Sequence, residues 1–246
     1  MLIDTHAHLN FNAYKDDVDA VVRRSLDSDV WMINVGSQLS TSKRAVELSE
    51  KYQEGVYAAV GLHPIHAQDG FDYEKYKELA KSEKLVAIGE IGLDYKEEYV
   101  SFKEKQKEIF LKQLGLAKEL NLPVIFHCRM AHQDLLDNLN IKVKGVVHCF
   151  SGNWPEAEKY LDKGLYLGFN GIIFKLDLDE VIEKTPEDRI LIETDCPYLT
   201  PPPMKGRNEP IYVRYVAEKI AKIKNINMQK ISLQTTQNAK DLFAIS

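Results

Sequence analysis

The chain has few cysteines and no long apolar run. These two absences argue against a disulfide-rich protein and against a membrane-spanning one. Only three of its 246 residues are cysteine, an odd number in a long chain that argues against a disulfide framework. No stretch approaches the ~20 apolar residues that a membrane span needs. The first ten residues, MLIDTHAHLN, carry Asp and His where a signal peptide would have a basic start and an apolar run. We therefore expect a cytoplasmic protein with no membrane partner.

An excess of positive charge is also missing. The 32 Lys and Arg residues against 37 Asp and Glu residues give a net charge of −5, which disfavours a mainly electrostatic grip on long nucleic acid. With 44% hydrophobic and 28% charged residues the composition is that of an ordinary globular chain. No composition shift or low-complexity segment marks a boundary, so we expect a single domain over residues 1–246.

One pattern repeats along the chain: a short, β-branched apolar run and then a longer amphipathic stretch. Apolar residues within stretches such as 16–26 and 102–122 recur at helical spacing. Eight such alternations in about 250 residues match an α/β fold of the (β/α)₈ or TIM barrel type. A doubly wound open sheet is the alternative, but no G-x-G-x-x-G turn follows the first run. The predicted strands lie near residues 2–8, 30–35, 56–62, 85–91, 124–127, 143–148, 165–169 and 190–194.

Metal-binding residue types stand where several predicted strands end. His6 and His8 alternate on the first strand, so they project to one face and can chelate a divalent ion. Glu90 is an acid inside an otherwise apolar run. Taken alone, each residue has a structural alternative: the histidines could lie in a polar loop, and the glutamate could form a salt bridge. The carboxyl ends of barrel strands converge on one face, however, so these residues are expected to lie together. The candidate ligands are therefore His6, His8, Glu90, His127, His148 and Asp195.

Four imidazoles and two carboxylates are more ligands than one zinc-like ion needs. They suit two divalent ions about 3.5–4 Å apart, bridged by a carboxylate and holding a water. Histidine-rich ligation favours Zn, Mn or Co. Glu193 shares the strand parity of Asp195, but Asp195 lies nearer the strand mouth, so we assign Glu193 a supporting role.

The motifs around these residues resemble the TatD family of metal-dependent deoxyribonucleases. The most specific are GEIGLDY at 89–95 and HCFSG at 148–152. The resemblance continues through nearly the whole chain, in the segments His6-Ala7-His8, GLHP at 61–64, HCR at 127–129, ETD at 193–195, RNEP at 207–210 and NAKDLF at 238–243.

This resemblance implies a TIM-like barrel, a two-metal centre and hydrolysis of phosphodiester bonds in DNA, a reaction that Mg often supports in such nucleases. The implied ligands are His6, His8, Glu90 and Asp195 for one ion, with Glu90 bridging to a second ion on His127 and His148. Two positions depart from the family pattern. Cys196 stands where Ser is common after the Thr-Asp pair, and Met130 stands where an acidic residue often follows the Arg.

Catalytic roles follow from the chemistry of a phosphodiester. Asp195 is expected to accept a proton from a water that the ions activate, and Glu90 to bridge the ions. His63, after the third strand, is expected to hydrogen-bond the scissile phosphate or the leaving oxygen; capping the turn before Pro64 is the alternative.

Two further side chains are candidates for holding the substrate. Arg129 shares the parity of His127 and can bind a phosphate through two parallel hydrogen bonds; an ion pair with Asp94 or Glu193 is the alternative. Asn208, in the loop after the eighth strand, is a candidate contact to nucleic acid.

The expected substrate is DNA that reaches the pocket as a chain end or single strand. The helix predicted near 103–118 alternates Lys with Glu and is more typical of a solvated face than of a DNA groove. Aromatic residues beyond strand ends could stack on an unpaired base or simply pack, namely Tyr95, Phe150, Trp154 and Tyr198. The alternatives are a phosphotriesterase- or amidase-like hydrolase of a small substrate and a non-catalytic metal-binding barrel.

Overall fold

The computed structural model describes residues 1–139 and 143–246. Over these residues eight parallel strands form one sheet, and each strand pairs with the next along the chain. The strands are β1 Leu2–Ala7, β2 Val30–Val35, β3 Val56–Val60, β4 Leu85–Asp94, β5 Val124–Arg129, β6 Gly145–Val147, β7 Tyr166–Phe169 and β8 Ile190–Ile192.

The sheet closes between its last and first strands. The backbone N–H of Asp195 donates to the carbonyl of His6 at 2.8 Å, and the N–H of His8 donates to the carbonyl of Cys196 at 2.9 Å. Ala7 and Cys196 form a parallel bridge at the same place. Helices alternate with the strands, so the predicted (β/α)₈ TIM barrel is confirmed.

Helices surround the barrel and bury one apolar face each. In α8, for example, Val213, Val216, Ala217 and Ile220 are buried, which is the spacing of one helix face. Asn153 begins α6 by accepting a hydrogen bond from the backbone of Glu156. In the described residues the helices are α1 Val18–Leu26, α2 Leu39–Ser49, α3 Tyr73–Leu79, α4 Lys103–Leu120, α5 His132–Asn138, α6 Trp154–Asp162, α7 Asp179–Lys184, α8 Val213–Ile223 and α9 Met228–Phe243.

The amino ends of the strands are covered, which leaves the carboxyl ends as the open mouth. One buried cluster joins side chains of β1 to β6 and β8, among them Ile33, Ile125 and Leu191, and strands on opposite sides of a barrel can share a cluster only inside it. Leu242 and Phe243, at the end of α9, belong to the same cluster. The end of the chain therefore packs under the barrel.

No helix in residues 1–139 or 143–246 combines the length and apolar character that crossing a bilayer requires. This agrees with the absence of a long apolar run in the sequence.

Candidate metal centre

The six predicted ligands meet at the carboxyl mouth of the barrel. His6, Glu90 and His127 lie on β1, β4 and β5, whereas His8 and His148 directly follow β1 and β6 and Asp195 stands three residues after β8. Five of them line a cavity of about 630 Å³, and His6 lies fully buried beneath it. The structure thus brings together side chains that are almost two hundred positions apart in the chain, as the convergence of strand ends requires.

One half of the cluster is built around β1. His6 Nε2 lies 3.2 Å from His8 Nε2 and 3.5 Å from Glu90 Oε2. Asp195 Oδ1 lies 3.3 Å from His8 Nε2. A tetrahedral ion with bonds of ~2.0–2.2 Å holds neighbouring donor atoms roughly 3.3 Å apart. The separations therefore fit ligands of a single ion.

The two histidines at the end of β1 are oriented toward the cluster. His8 Nδ1 donates to the carbonyl of Val35 at 2.8 Å, which fixes the ring with Nε2 facing the other predicted ligands. Burial, with the charge of His148, lowers the pKa of His6 to about 4. The His6 imidazole is therefore neutral at neutral pH.

The other half of the cluster lies on the far side of Glu90. His127 Nδ1 is 2.6 Å from Glu90 Oε1, and His63 Nε2 is 3.4 Å from the same oxygen. Since Oε2 faces His6, the two oxygens of Glu90 serve different halves. His148 Nε2 lies 3.8 Å from Glu90 and 3.8 Å from Asp195, so it can serve either half.

Two more buried carboxylates orient the histidines. Glu193 Oε2 accepts from His148 Nδ1 at 2.9 Å, and its other oxygen accepts from the backbone N–H of Cys149 at 2.6 Å. Asp94 Oδ2 lies 3.0 Å from His127 Nε2. Carboxylates behind histidines fix the ring and raise its basicity. The sequence predicts a supporting role for Glu193 but not for Asp94.

The carboxylates give the cluster an excess of negative charge, and this charge favours protonation of two of the imidazoles. Burial opposes a charge on His127, but Glu90 and Asp94 outweigh burial and raise its pKa to about 9. Burial likewise opposes a charge on His148, yet Glu193 and Glu90 raise its pKa to about 10. Divalent cations would replace these protons, so the donor set fits metal ions.

Two buried glutamines of α4 form hydrogen bonds to the backbone near the ends of β3 and β4. Gln106 accepts from the backbone N–H of Asp94 and donates to its carbonyl, both at 2.8 Å. Gln113 pairs with both backbone groups of Leu62 in the same way, at 2.7 and 2.9 Å. The glutamines stand seven residues apart, on one helix face, and their position inside an apolar face is the sequence signal for this role.

His63 caps the turn before Pro64, which was the alternative to its predicted substrate contact, and its side chain still faces the cluster. Its Nδ1 accepts from the backbone N–H of Ile65 at 3.2 Å, at the start of the 3₁₀ turn Pro64–Asp69. Because Nδ1 accepts, the ring proton lies on Nε2, the atom that faces Glu90. His63 can therefore donate a hydrogen bond toward the cavity.

Arg129 lines the cavity and is exposed. The ion pairs considered for it are not formed, because Asp94 pairs with His127 and Glu193 pairs with His148. Within the described residues its guanidinium makes no salt bridge. It is placed to meet an anion in the cavity.

Asn208 does not reach the cavity rim, contrary to the sequence prediction. Its side chain is fully buried, and Nδ2 donates to the carbonyls of Thr194 at 3.0 Å and Tyr198 at 2.6 Å. Its Oδ1 accepts from the backbone N–H of Glu209 at 2.9 Å. Both ends of the carboxamide form hydrogen bonds that hold the loop after β8, so Asn208 is not a substrate contact.

Replacing Asn208 with alanine should therefore lower stability. The change leaves two carbonyls and one N–H without their partner, and each buried unpaired group costs ~1–3 kcal/mol. We expect the free energy of unfolding, measured by urea denaturation, to fall by about 3 kcal/mol. Asn12→Ala removes one exposed hydrogen bond and serves as control. A loss no larger than that of the control would contradict the structural role of Asn208.

The four aromatic residues considered for base stacking differ in position. Tyr198 is 55% exposed and lines the cavity. Phe150 is buried, Trp154 packs against the core, and the hydroxyl of Tyr95 donates to Asp134. Of the four, Tyr198 is the one available to a ligand.

The two departures from the family pattern do not line the cavity. Cys196 is fully buried at the closure of the barrel, and Met130 is 74% exposed to solvent. Neither side chain is placed to contact a ligand on the cavity floor.

Comparison with known proteins identifies the family. A family model described as "TatD related DNase" matches residues 3–244. The protein named "Uncharacterized metal-dependent hydrolase YabD" from Bacillus subtilis (strain 168) is 46% identical, over 100% of both chains. The "3'-5' ssDNA/RNA exonuclease TatD" of Erwinia tasmaniensis is 34% identical, over 98% of this chain and 99% of its own length.

The fold agrees with these matches. The crystal structure of YJJV, a TatD homolog from Escherichia coli K12, superposes with a TM-score of 0.91 at 30% identity and covers 100% of this chain and 98% of its own. The chain belongs to the TatD family of metal-dependent hydrolases.

Proposed function

We propose that the protein is a deoxyribonuclease that hydrolyses phosphodiester bonds in DNA at chain ends or in single strands. The observation that carries the proposal is the cluster of four imidazoles and two carboxylates on the floor of an open cavity. A relative that is 34% identical over nearly its whole length is named a 3'-5' ssDNA/RNA exonuclease, which supports a nucleic acid substrate.

The proposed ligands form two sets that share Glu90. His6, His8, Glu90 and Asp195 would hold one divalent ion, and Glu90, His127 and His148 a second, with Mg, Mn or Zn as the candidates. When bound, two such ions neutralise negative charge on a phosphodiester and lower the pKa of a water molecule.

Asp195 is the proposed general base. Burial opposes its ionisation, but hydrogen bonding to His8 and the charge of His148 lower its pKa. The group is therefore a carboxylate at neutral pH. Its side chain is 17% exposed, so it reaches the cavity, where it can accept the proton of an attacking water.

His63 and Arg129 are proposed to hold the phosphate. The Nε2–H of His63 can donate to a non-bridging oxygen or to the leaving oxygen. The guanidinium of Arg129 can pair two of its N–H groups with phosphate oxygens. Together they would position the phosphodiester over the cluster.

The size and charge of the molecule support a chain end or single strand as substrate. A cavity of about 630 Å³ is of the size that holds a small molecule, and it admits a nucleotide rather than a duplex. The net charge of −5 gives no general attraction for long DNA.

The phosphotriesterase- or amidase-like alternative has less support. Such enzymes commonly bridge their ions with a carbamylated lysine from the fourth or fifth strand. Here β4 presents Glu90 and β5 ends in His127 and Arg129, and among the described residues that line the cavity none is lysine.

The test uses protein stripped by a chelator and reloaded with Mg, Mn or Zn. We expect an end-labelled single-stranded oligodeoxynucleotide to be shortened stepwise, only after reloading, and faster than its duplex. An aryl phosphodiester, a phosphotriester and an amide are compared in parallel. Hydrolysis of the triester or amide without DNA cleavage would contradict the proposal, and mainly internal duplex cuts would contradict its chain-end part.

A further inference from the structure

The two sides of the cavity differ in chemistry. The sides face each other, because β3 to β5 lie across the barrel from β7, β8 and β1 in the observed strand order. The loop after β3 and the end of β5 carry the polar residues His63, His66 and Arg129, with Ile65 as the apolar residue between the two histidines. The loops after β7 and β8 form what we call the apolar wall: Ile172, Leu176, Tyr198 and Leu199.

The apolar wall exposes side chains that are normally buried. Tyr198 is 55% exposed and Leu176 is 43% exposed. Neighbouring exposed apolar side chains at the mouth of a polar site mark a place where a ligand covers them. The wall borders Asp195 and His148 in the same cavity, so a ligand on the wall would be continuous with one at the cluster.

The backbone beneath the wall is held rigidly. The N–H of Tyr198 donates to the carbonyl of Asp195 at 2.9 Å, and its own carbonyl accepts from the buried Asn208 at 2.6 Å. Gly171, in the loop after β7, lies so close to Leu199 that a Cβ would come within 1.8 Å of the Leu199 carbonyl oxygen. The two loops therefore pack backbone to backbone, so binding at the wall needs no reordering of this part of the backbone.

We propose that the apolar wall binds the base of the terminal nucleotide, stacked on Tyr198, while the phosphate of that nucleotide lies at the cluster beside Arg129. This inference rests on the proposed deoxyribonuclease function. Aromatic side chains stack on any base because every base has a π-face. Among the four wall residues the sole polar side-chain group is the Tyr198 hydroxyl, so the subsite has little means of reading a base edge and accepts all four bases.

A two-by-two experiment tests the stacking directly. The substrates are a single-stranded oligodeoxynucleotide with a normal base, or with an abasic nucleotide, at the end from which the protein degrades it. The proteins are the metal-loaded wild type and Tyr198→Ala. We expect removal of the base, or of the ring, to raise KM about tenfold with kcat little changed, equivalent to ~1.4 kcal/mol. Removing the base and the ring together should raise KM no more than removing either one alone, because the two changes remove the same contact.

Two variants separate stacking from structure. Tyr198→Phe keeps the ring and should therefore keep the dependence of KM on the terminal base that Tyr198→Ala loses. Tyr215→Ala removes a tyrosine on α8, outside the cavity, and should leave KM and its dependence on the base unchanged. Equal circular dichroism spectra and thermal midpoints would show that all variants are folded.

Each outcome decides the inference. An unchanged KM in Tyr198→Ala, or losses that multiply when base and ring are both removed, would overturn the subsite and leave the nuclease proposal standing. A wild-type preference of more than about tenfold for one base would overturn the claim that all bases are accepted. If the reloaded wild type hydrolyses neither oligonucleotide, the proposed function fails and this inference fails with it.

Discussion

Asp195→Asn should abolish hydrolysis while leaving most of the metal bound. Asparagine keeps one oxygen for a ligand bond, but it cannot accept the proton of the attacking water. General base catalysis contributes ~10²–10⁴-fold, so we expect kcat on single-stranded DNA to fall at least about 10³-fold. Turnover and metal content per chain should be measured on the same samples, because the prediction separates the two.

The neighbourhood of Asp195 explains why the fold should survive this change. Its backbone N–H closes the barrel by donating to His6, and the substitution leaves that bond in place. Its side chain faces His8 and His148 at 3.3 and 3.8 Å, and a carboxamide oxygen can occupy the same position. Asp27→Asn, on an exposed residue after α1, is the matched control and should match the wild type. More than a tenth of wild-type turnover in fully loaded Asp195→Asn would rule out the assigned role.

Glu90→Gln should lower both the turnover of the enzyme and the number of metal ions bound per chain. Glu90 Oε2 faces His6, and Oε1 faces His63, His127 and His148. A glutamine offers one oxygen and one NH₂ group. One half of the cluster therefore loses a metal ligand and faces a hydrogen-bond donor in its place. Mutating a residue that only supports a ligand costs ~10–100-fold in metal affinity or activity, and losing the shared ligand should exceed that range.

The metal content of Glu90→Gln gives the clearest result. We expect fewer than two ions per chain after equilibration with Mn²⁺ and dialysis, and no detectable DNA hydrolysis. Glu97→Gln changes an exposed glutamate in the loop after β4 and should keep wild-type content and turnover. Normal metal content in Glu90→Gln would show that Glu90 is not the shared ligand, whatever happens to activity.

Strand ends were the informative part of the sequence. His127 and His148 each stand where an apolar run stops, and in a barrel such positions converge because all strands run parallel around one axis. The period of the strand and the order of the elements are enough to predict this convergence. They therefore place His6 and Asp195 in one cluster although the two residues lie far apart in the chain.

Other features depend on contacts that no local pattern encodes. β4 was expected to end near residue 91 but continues through Asp94, with a register shift between Gly89 and Ile91. The orientation of Asp94 toward His127 follows from that extension. Asn208 lies in a polar loop, where the sequence cannot distinguish an amide that faces solvent from one that binds two buried carbonyls.

Anomalous diffraction from crystals of the protein saturated with Mn²⁺, recorded at the manganese edge, would locate the ions directly. We expect two peaks in the barrel mouth. One should lie among His6, His8, Glu90 and Asp195, and the other among Glu90, His127 and His148. A single peak, or peaks only outside this group of side chains, would contradict a centre of two ions that share Glu90.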